Sequence, residues 1–283
     1  MKCDWYQASV PNVAPEVIMG ALKGADYYGE WVESKASKGY DVGAQFVVGD
    51  HVKFRINHGG QNEQFGANVT GSGGDAPQLM QILREHFPMH RVSRFDSCED
   101  YHHKEAYDYL RTIALKIATE HDVKAREIVK PLPGSDDGRT LYLGAPTSAI
   151  TARIYEKGKQ LGVGTEWVRA ELQVRPQKLL KDACARISAE DVWGLARWSL
   201  AMASELGKTE IQRVDVQIYQ PSDDDRAYRW MLKQYGKLLG KMKGAHGSWE
   251  TLGAQIGYDL EHMDQEAEKA SLKPVKRSGA SEK

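Results

Sequence analysis

In the segment Thr151-Ala-Arg-Ile-Tyr-Glu-Lys157, Arg153, Tyr155 and Lys157 stand two residues apart. Side chains of a strand alternate between faces, so these three share one face while Ala152 and Ile154 point the other way. The segment Trp167-Val-Arg-Ala-Glu-Leu-Gln-Val-Arg175 repeats the pattern, with Arg169, Glu171, Gln173 and Arg175 opposite Val168, Ala170, Leu172 and Val174. In Arg94-Phe-Asp-Ser-Cys-Glu-Asp100, the residues Arg94, Asp96, Cys98 and Asp100 align, with Phe95 behind them. If the three strands are neighbours, their polar faces form one patch of carboxylates, guanidinium groups and a phenol. Carboxylate oxygens suit magnesium or manganese, which leave coordination positions open for phosphate. Cations beside Tyr155 favour its phenolate, and they stabilise charge developing on a phosphate. The patch is therefore suited to metal-assisted phosphoryl transfer through a covalent tyrosine. The competing reading is a half-solvated antiparallel sheet, whose outer face is polar by necessity.

The elements that would position this patch are legible from periodicity and punctuation. Residues 3–9 read as a strand, and Pro15-Glu16 opens a helix to about Lys23. Residues 44–57 read as a hairpin turning at Gly49-Asp50. The glycine-rich stretch 59–74 reads as a mobile loop; it lacks the spacing of a nucleotide-binding loop. Asp75 and Pro77 start a helix, a strand follows at 91–98, and a helix runs from about Lys104 to Glu120. Strands are expected at 139–144, 149–157 and 166–175. Helices follow at about 177–186, 189–206, 225–243 and 248–268, with one strand-like interruption at 211–219. The sum is an α+β fold: a mostly antiparallel sheet with flanking helices and a helical C-terminal part. The expected division is a core over 1–176, a mainly helical region over 177–268 and a disordered tail over 269–283.

Composition narrows the function classes. The chain has 283 residues, enough for one large or two modest domains, and three widely separated cysteines, Cys3, Cys98 and Cys184. That count supports neither a disulfide framework nor a thiolate zinc site, so the expected compartment is reducing and cytoplasmic. No apolar run suits a membrane span or a secretion leader, and no membrane partner is expected. A net charge of −1 counts against a nucleic-acid binder only if charge is evenly spread. It is not. Residues 139–181 hold eight basic residues against three acidic, while acids gather around 96–108, 223–225 and 259–268. In the helix at 225–243, Arg226, Arg229, Lys233, Lys237 and Lys241 form a basic stripe opposite an apolar one. Such a ridge is either a solvated face or a track for a DNA backbone.

At these residues the sequence resembles the replication initiation factor family, the rolling-circle initiators of plasmids and filamentous phages, with related conjugative relaxases. The likeness rests on Asp4-Trp5, on Val92-Ser-Arg-Phe-Asp96 with Asp100, and on Arg139-Thr-Leu-Tyr-Leu-Gly-Ala-Pro-Thr-Ser148. Most specific are Ala152-Arg-Ile-Tyr-Glu-Lys157 and Trp167-Val-Arg-Ala-Glu171. The resemblance implies a site-specific single-strand DNA endonuclease and ligase acting on origin DNA alongside host helicase and polymerase. It implies Tyr155 as the nucleophile, with Asp96, Glu171 and Asp100 holding Mg2+ or Mn2+. Arg94, Arg153, Lys157 and Arg169 would contact phosphate, with Arg226, Arg229, Lys233 and Lys237 as a second DNA contact. Two departures stand out. His102 and His103 are adjacent, so no His-hydrophobic-His metal motif is present, and Ala145-Pro146 stands where a Ser-Arg pair is expected. A non-catalytic origin-binding regulator and a conjugative relaxase are the alternatives.

Overall fold

The computed structural model describes residues 1–24, 26, 28–37, 39–129, 138–164, 166–214 and 223–271; within 223–271 the side chains of 223–226, 229, 233 and 264–271 are left undescribed. The chain divides into two compact units, residues 1–219 and 220–283. The first is built on one ten-stranded sheet in which every adjacent pair is antiparallel. Its strands are β1 (Lys2–Val10), β2 (Glu30–Ser34), β3 (Val42–Val48), β4 (His51–His58), β5 (Ala67–Ser72), β6 (Arg91–His102), β7 (Ala125–Val129), β8 (Arg139–Leu143), β9 (Ile150–Tyr155) and β10 (Trp167–Val174). They lie in the order β2-β3-β4-β5-β1-β6-β10-β9-β8-β7. This order hides a duplication. Each half runs strand, helix, then four strands that fold back so that the last pairs with the first, and the halves meet at β1 and β6. The first half uses α1 (Pro15–Lys23) and the second α3 (Ala106–Glu120), while α2 (Ala76–His86) joins the halves.

One sheet face is apolar because each central strand alternates. Tyr6 and Ala8 of β1, Phe54 and Ile56 of β4, Phe95 of β6, Ile154 of β9 and Leu172 of β10 are all buried. Against them pack Ile18 and Leu22 of α1, Leu79 and Leu83 of α2, and Leu110 and Ile117 of α3. After β9 comes the single turn α4 (Lys157–Gln160). Beyond β10, α5 (Leu179–Cys184) packs on β6, and α6 (Arg197–Glu205) packs on α3. The buried Trp193 donates from its indole to Ser97 Oγ at 2.9 Å, tying the segment before α6 to the sheet. Residues 179–205, expected with the C-terminal region, thus lie in the first unit. The second unit contains α7 (Asp223–His246) packed on α8 (Trp249–Ser271). Among the described residues, no helix is long and apolar enough to cross a membrane.

Three expectations change. The glycine-rich stretch holds β5, an internal strand between β4 and β1. Its Gly71 faces α2, where a Cβ would come within 3.1 Å of Leu79, so glycine here is what lets the helix approach the sheet. The strands β2 and β7 add edges that periodicity did not mark. Of the interruption expected at 211–219, residues 211–214 are not a strand, and 215–219 lie outside the described residues, as do 272–283 of the expected tail.

Candidate active site

Register converts the three expected polar faces into one. β10 lies between β6 and β9, with Arg169, Glu171 and Gln173 directly opposite Asp100, Cys98 and Asp96 on one side. On the other side Arg169 and Glu171 stand opposite Tyr155 and Arg153. Residues paired across an antiparallel ladder share a face, so Tyr155, Arg153, Glu171 and Asp96 converge on the face away from the helices. On this face the arginines Arg94 and Arg153 stay partly exposed while the groups beneath them are withdrawn from water. Asp96, Glu171 and Tyr155 are buried, with Glu171 fully so.

Buried charge must be paired, and here arginine does it. Arg153 forks onto Glu171, with Nε at 3.0 Å and Nη2 at 2.7 and 2.9 Å from the carboxylate oxygens. Tyr155 donates its hydroxyl to Glu171 Oε2 at 3.1 Å. Arg94 forks onto Asp96, which also accepts from Gln173 Nε2 at 3.3 Å. The Arg94 guanidinium in turn lies 4.2 Å over the Trp5 ring. Lys157 stands 5.6 Å from the centre of the Tyr155 ring and Arg153 4.8 Å from it.

The electrostatics run opposite to the expectation of a favoured phenolate. Burial, and then the charge of Glu171, push the Tyr155 hydroxyl above its ordinary value despite the opposing pull of Arg153 and Arg169. The proton affinity of Glu171 is raised too, first by burial and then by the charge of Asp96, against the opposing Arg153. Cys98, on the same face, is pushed up to about 12 by burial and by Asp4. It is held as an inert thiol.

Arg169 and Asp100 are placed differently from their expected roles. Arg169 donates from Nε and Nη2 to Asp100 at 2.7 and 2.9 Å, and from Nη1 to Asp4 at 2.7 Å. Asp100 also takes Lys2 at 2.8 Å and the Trp167 indole at 2.9 Å. Burial raises its proton affinity, but these donors outweigh it and hold the carboxyl well below the usual range. Asp100 is thus the acid of a buried clamp, not a companion of Asp96 and Glu171, and the forked donors of Arg169 are committed to carboxylates. Asp4 is a member of the site that face-reading did not single out, while Gln173, read onto the polar face, serves as a donor to Asp96. A bulge in β1 between Cys3 and Trp5 carries Asp4, and alternation does not foretell a bulge. His102 ends β6 and stacks against Trp167, with ring centroids 5.6 Å apart.

Asp96 and Glu171 are hard oxygen donors at diagonal positions on adjacent strands, and the charge of one raises the proton affinity of the other. A divalent cation that uses one or two carboxylates and completes its shell with water and phosphate fits such a pair. Among the described residues, no group of three or more His, Cys, Asp or Glu side chains is placed to hold a metal, so the fit rests on two carboxylates. The side chains of Arg226, Arg229 and Lys233 lie outside the described residues, and Lys237 is exposed on α7 of the second unit.

Residues 92–183 match the family model described as replication initiation factor, so the segment carrying Asp96, Asp100, Tyr155 and Glu171 shows the resemblance read from the sequence. No curated protein matches the chain. Among solved structures, the chain is similar to a rolling circle replication initiator protein from Geobacillus stearothermophilus. The two share 19% identity with a TM-score of 0.52, over 75% of this chain and 97% of that one. The two share a fold.

Proposed function

We propose that this chain is a rolling-circle replication initiator that nicks and rejoins single-stranded origin DNA through Tyr155. The observation that carries the reading is the buried cluster of Tyr155, Glu171 and Arg153, set within the segment that matches the replication initiation factor family. In the cleavage step, Tyr155 Oη attacks the scissile phosphorus and a 5′-phosphotyrosyl bond forms. The bond from phosphorus to the 3′ oxygen breaks, and that oxygen takes a proton from water and leaves as a 3′ hydroxyl, from which a host polymerase extends behind a host helicase. The phenol proton has an acceptor in place, Glu171 Oε2, which the hydroxyl already reaches at 3.1 Å. Resealing is the reverse displacement, with the phosphotyrosyl bond conserving the energy of the one broken. Arg153, Arg94 and Lys157 surround the reacting phosphate with positive charge. Mg2+ or Mn2+ held by Asp96 and Glu171 would supply Lewis-acid charge at the phosphoryl oxygens. The stripe of Arg226, Arg229, Lys233 and Lys237 on α7 would add a sequence-independent grip on the DNA backbone.

The test is incubation of labelled single-stranded origin DNA with the protein and Mg2+ or Mn2+, followed by denaturing electrophoresis. A protein-linked 5′ product is expected from the wild type and none from Tyr155→Phe, with DNA binding retained by the variant. Nicking at the wild-type rate by Tyr155→Phe refutes the assignment. Binding without any adduct under either metal would leave an origin-binding regulator, and an adduct confined to transfer-origin DNA would make the chain a relaxase.

A further inference from the structure

A cavity of about 610 Å³ lies beside the cluster, at the seam between the two halves of the sheet. Its walls include Gln7 of β1, Asn68 of β5, and Arg94 and Arg91 of β6. Arg94 joins it to the cluster, since the same guanidinium grips Asp96. Beyond β10, Arg175 and Lys181 close a second side, and the aromatic rings of Tyr40 and Phe65 stand on the first-half side. The size suits a small organic group, not a helix or a duplex.

Two features of the walls are incomplete by themselves. The Lys181 ammonium has no hydrogen-bond or ion-pair partner among the described residues, and burial, with the nearby charge of Arg91, lowers its proton affinity against the opposing charge of Asp182. Arg175 reaches only the carbonyl of Pro146, at 3.4 Å. Arg175 is exposed and Arg91 is paired with Asp182 at 3.3 Å, so Lys181 is the half-buried cation of this wall that an anion would complete. The second feature is an amide. Gln7 donates from Nε2 to Asn68 Oδ1 at 2.6 Å, and Asn68 Nδ2 is itself tied to the carbonyl of Ala8 at 3.3 Å. That chain fixes the orientation of Gln7 and leaves its Oε1 without a donor among the described residues. The residue is buried yet lines the cavity. Phe65 is 52% exposed, which leaves an apolar ring face open at the cavity rim.

We propose that this cavity seats one nucleotide of single-stranded DNA next to the scissile phosphate, its phosphate on Lys181 and Arg175 and its base between Gln7 Oε1 and the Phe65 ring. An N–H of the base satisfies the fixed amide oxygen, and the π-face of the base covers the exposed phenyl. The proposal deepens the nicking reading, since the seat adjoins Asp96, but its binding test is independent of the chemistry.

Binding is measured with the full chain carrying Tyr155→Phe, in EDTA, so that no cleavage occurs. The probes are fluorescein-labelled (dC)12 and an abasic dodecamer of the same length, titrated at several salt concentrations. Lys181→Met is expected to weaken both probes and to lower the slope of log K against log salt by about 0.7, the share of one phosphate on a single strand. The same substitution removes an unpaired, half-buried charge, so the thermal midpoint should hold or rise while binding falls, which a purely structural lysine would not produce. Phe65→Ala should weaken (dC)12 by about fivefold or more and leave the abasic probe unchanged. The proposal is overturned if Lys181→Met leaves the salt slope as it was, or if Phe65→Ala weakens both probes equally. It is also overturned if an unlabelled twelve-base-pair duplex displaces the probe as well as unlabelled (dC)12 does. Failure here with a protein-linked adduct formed by the wild type would refute the seat and leave Tyr155 standing. The expected binding pattern without any adduct would do the reverse.

Discussion

Arg169→Met removes the cation at the centre of the clamp and leaves the sheet otherwise intact. The Arg169 side chain is 6% exposed and faces two carboxylates, Asp4 and Asp100, that are 19% and 12% exposed. Removing one partner of a buried pair costs about 3–5 kcal/mol, because the opposite charge stays behind unpaired. Lys2 still reaches Asp100 at 2.8 Å and tempers the loss, so the lower end, about 3 kcal/mol, is expected. The effect should depend on pH in a definite direction. The Asp100 carboxyl is held well below its ordinary range in the folded chain. A depressed carboxyl adds its full stability above its unfolded value near 4 and loses it progressively as pH falls from there through the folded value. The gap between wild type and Arg169→Met should therefore be full at pH 7 and narrow as pH drops below about 4. Urea titration followed by near-ultraviolet circular dichroism, at pH 7 and pH 3.5, measures both gaps. A loss under about 1 kcal/mol at pH 7, or a gap that widens in acid, would show that the clamp does not hold β1, β6 and β10 together.

Three smaller predictions concern the frame around the site. His90 accepts from Tyr6 at 2.7 Å through Nε2 while its Nδ1–H donates to the Phe87 carbonyl at 2.8 Å, and burial lowers its proton affinity. Neutral His90 adds stability above the unfolded value near 6.5 that is lost as pH falls, at most about 1.4 kcal/mol per pH unit. Thermal midpoints of wild type and His90→Gln between pH 7.5 and 5.5 should show the steeper fall in the wild type. Gly66 sits at φ +80°, where a Cβ would lie 2.0 Å from the Val10 carbonyl oxygen, so Gly66→Ala should cost about 2 kcal/mol or more by urea titration. Ser97→Ala strips the buried Trp193 indole of its acceptor and should cost about 1–3 kcal/mol in the same assay, with a shift in Trp193 fluorescence.

Much of the site was legible because period-two alternation is strict. Arg153, Tyr155, Glu171 and Asp96 could be placed on one face from their own segments, and the register needed only the three strands to be neighbours. What alternation does not encode is partner choice. Nothing in the residues 125–129 marks an edge strand, and β5 looked like a loop because glycine is a poor strand former in isolation. Its placement comes from α2, whose Leu79 occupies the space a side chain at 71 would need. The direction of the Tyr155 shift was missed for a related reason. The flanking Arg153 and Lys157 were visible in the sequence, but the burial that outweighs them belongs to the assembled sheet.

Both halves of the sheet share one connectivity, yet buried acids on the open face gather on the β6 side, where Asp96 and Glu171 each carry an arginine fork. In the first half the buried polar residues beside the seam include two amides, Gln7 and Asn68, hydrogen-bonded to each other. Neutral amides leave the neighbouring cations unspent. Among the described residues Lys157, Arg175 and Lys181 have no acidic partner within salt-bridge distance, and all three surround the buried cluster or the cavity beside it. A net charge of −1 is thus compatible with a locally cationic track, because the acids of this face are already neutralised where they stand. A polyanion laid across the seam would meet those unpaired cations without displacing the arginine of either fork, and that is the arrangement in which a balanced chain grips one short stretch of phosphate rather than coating DNA at large.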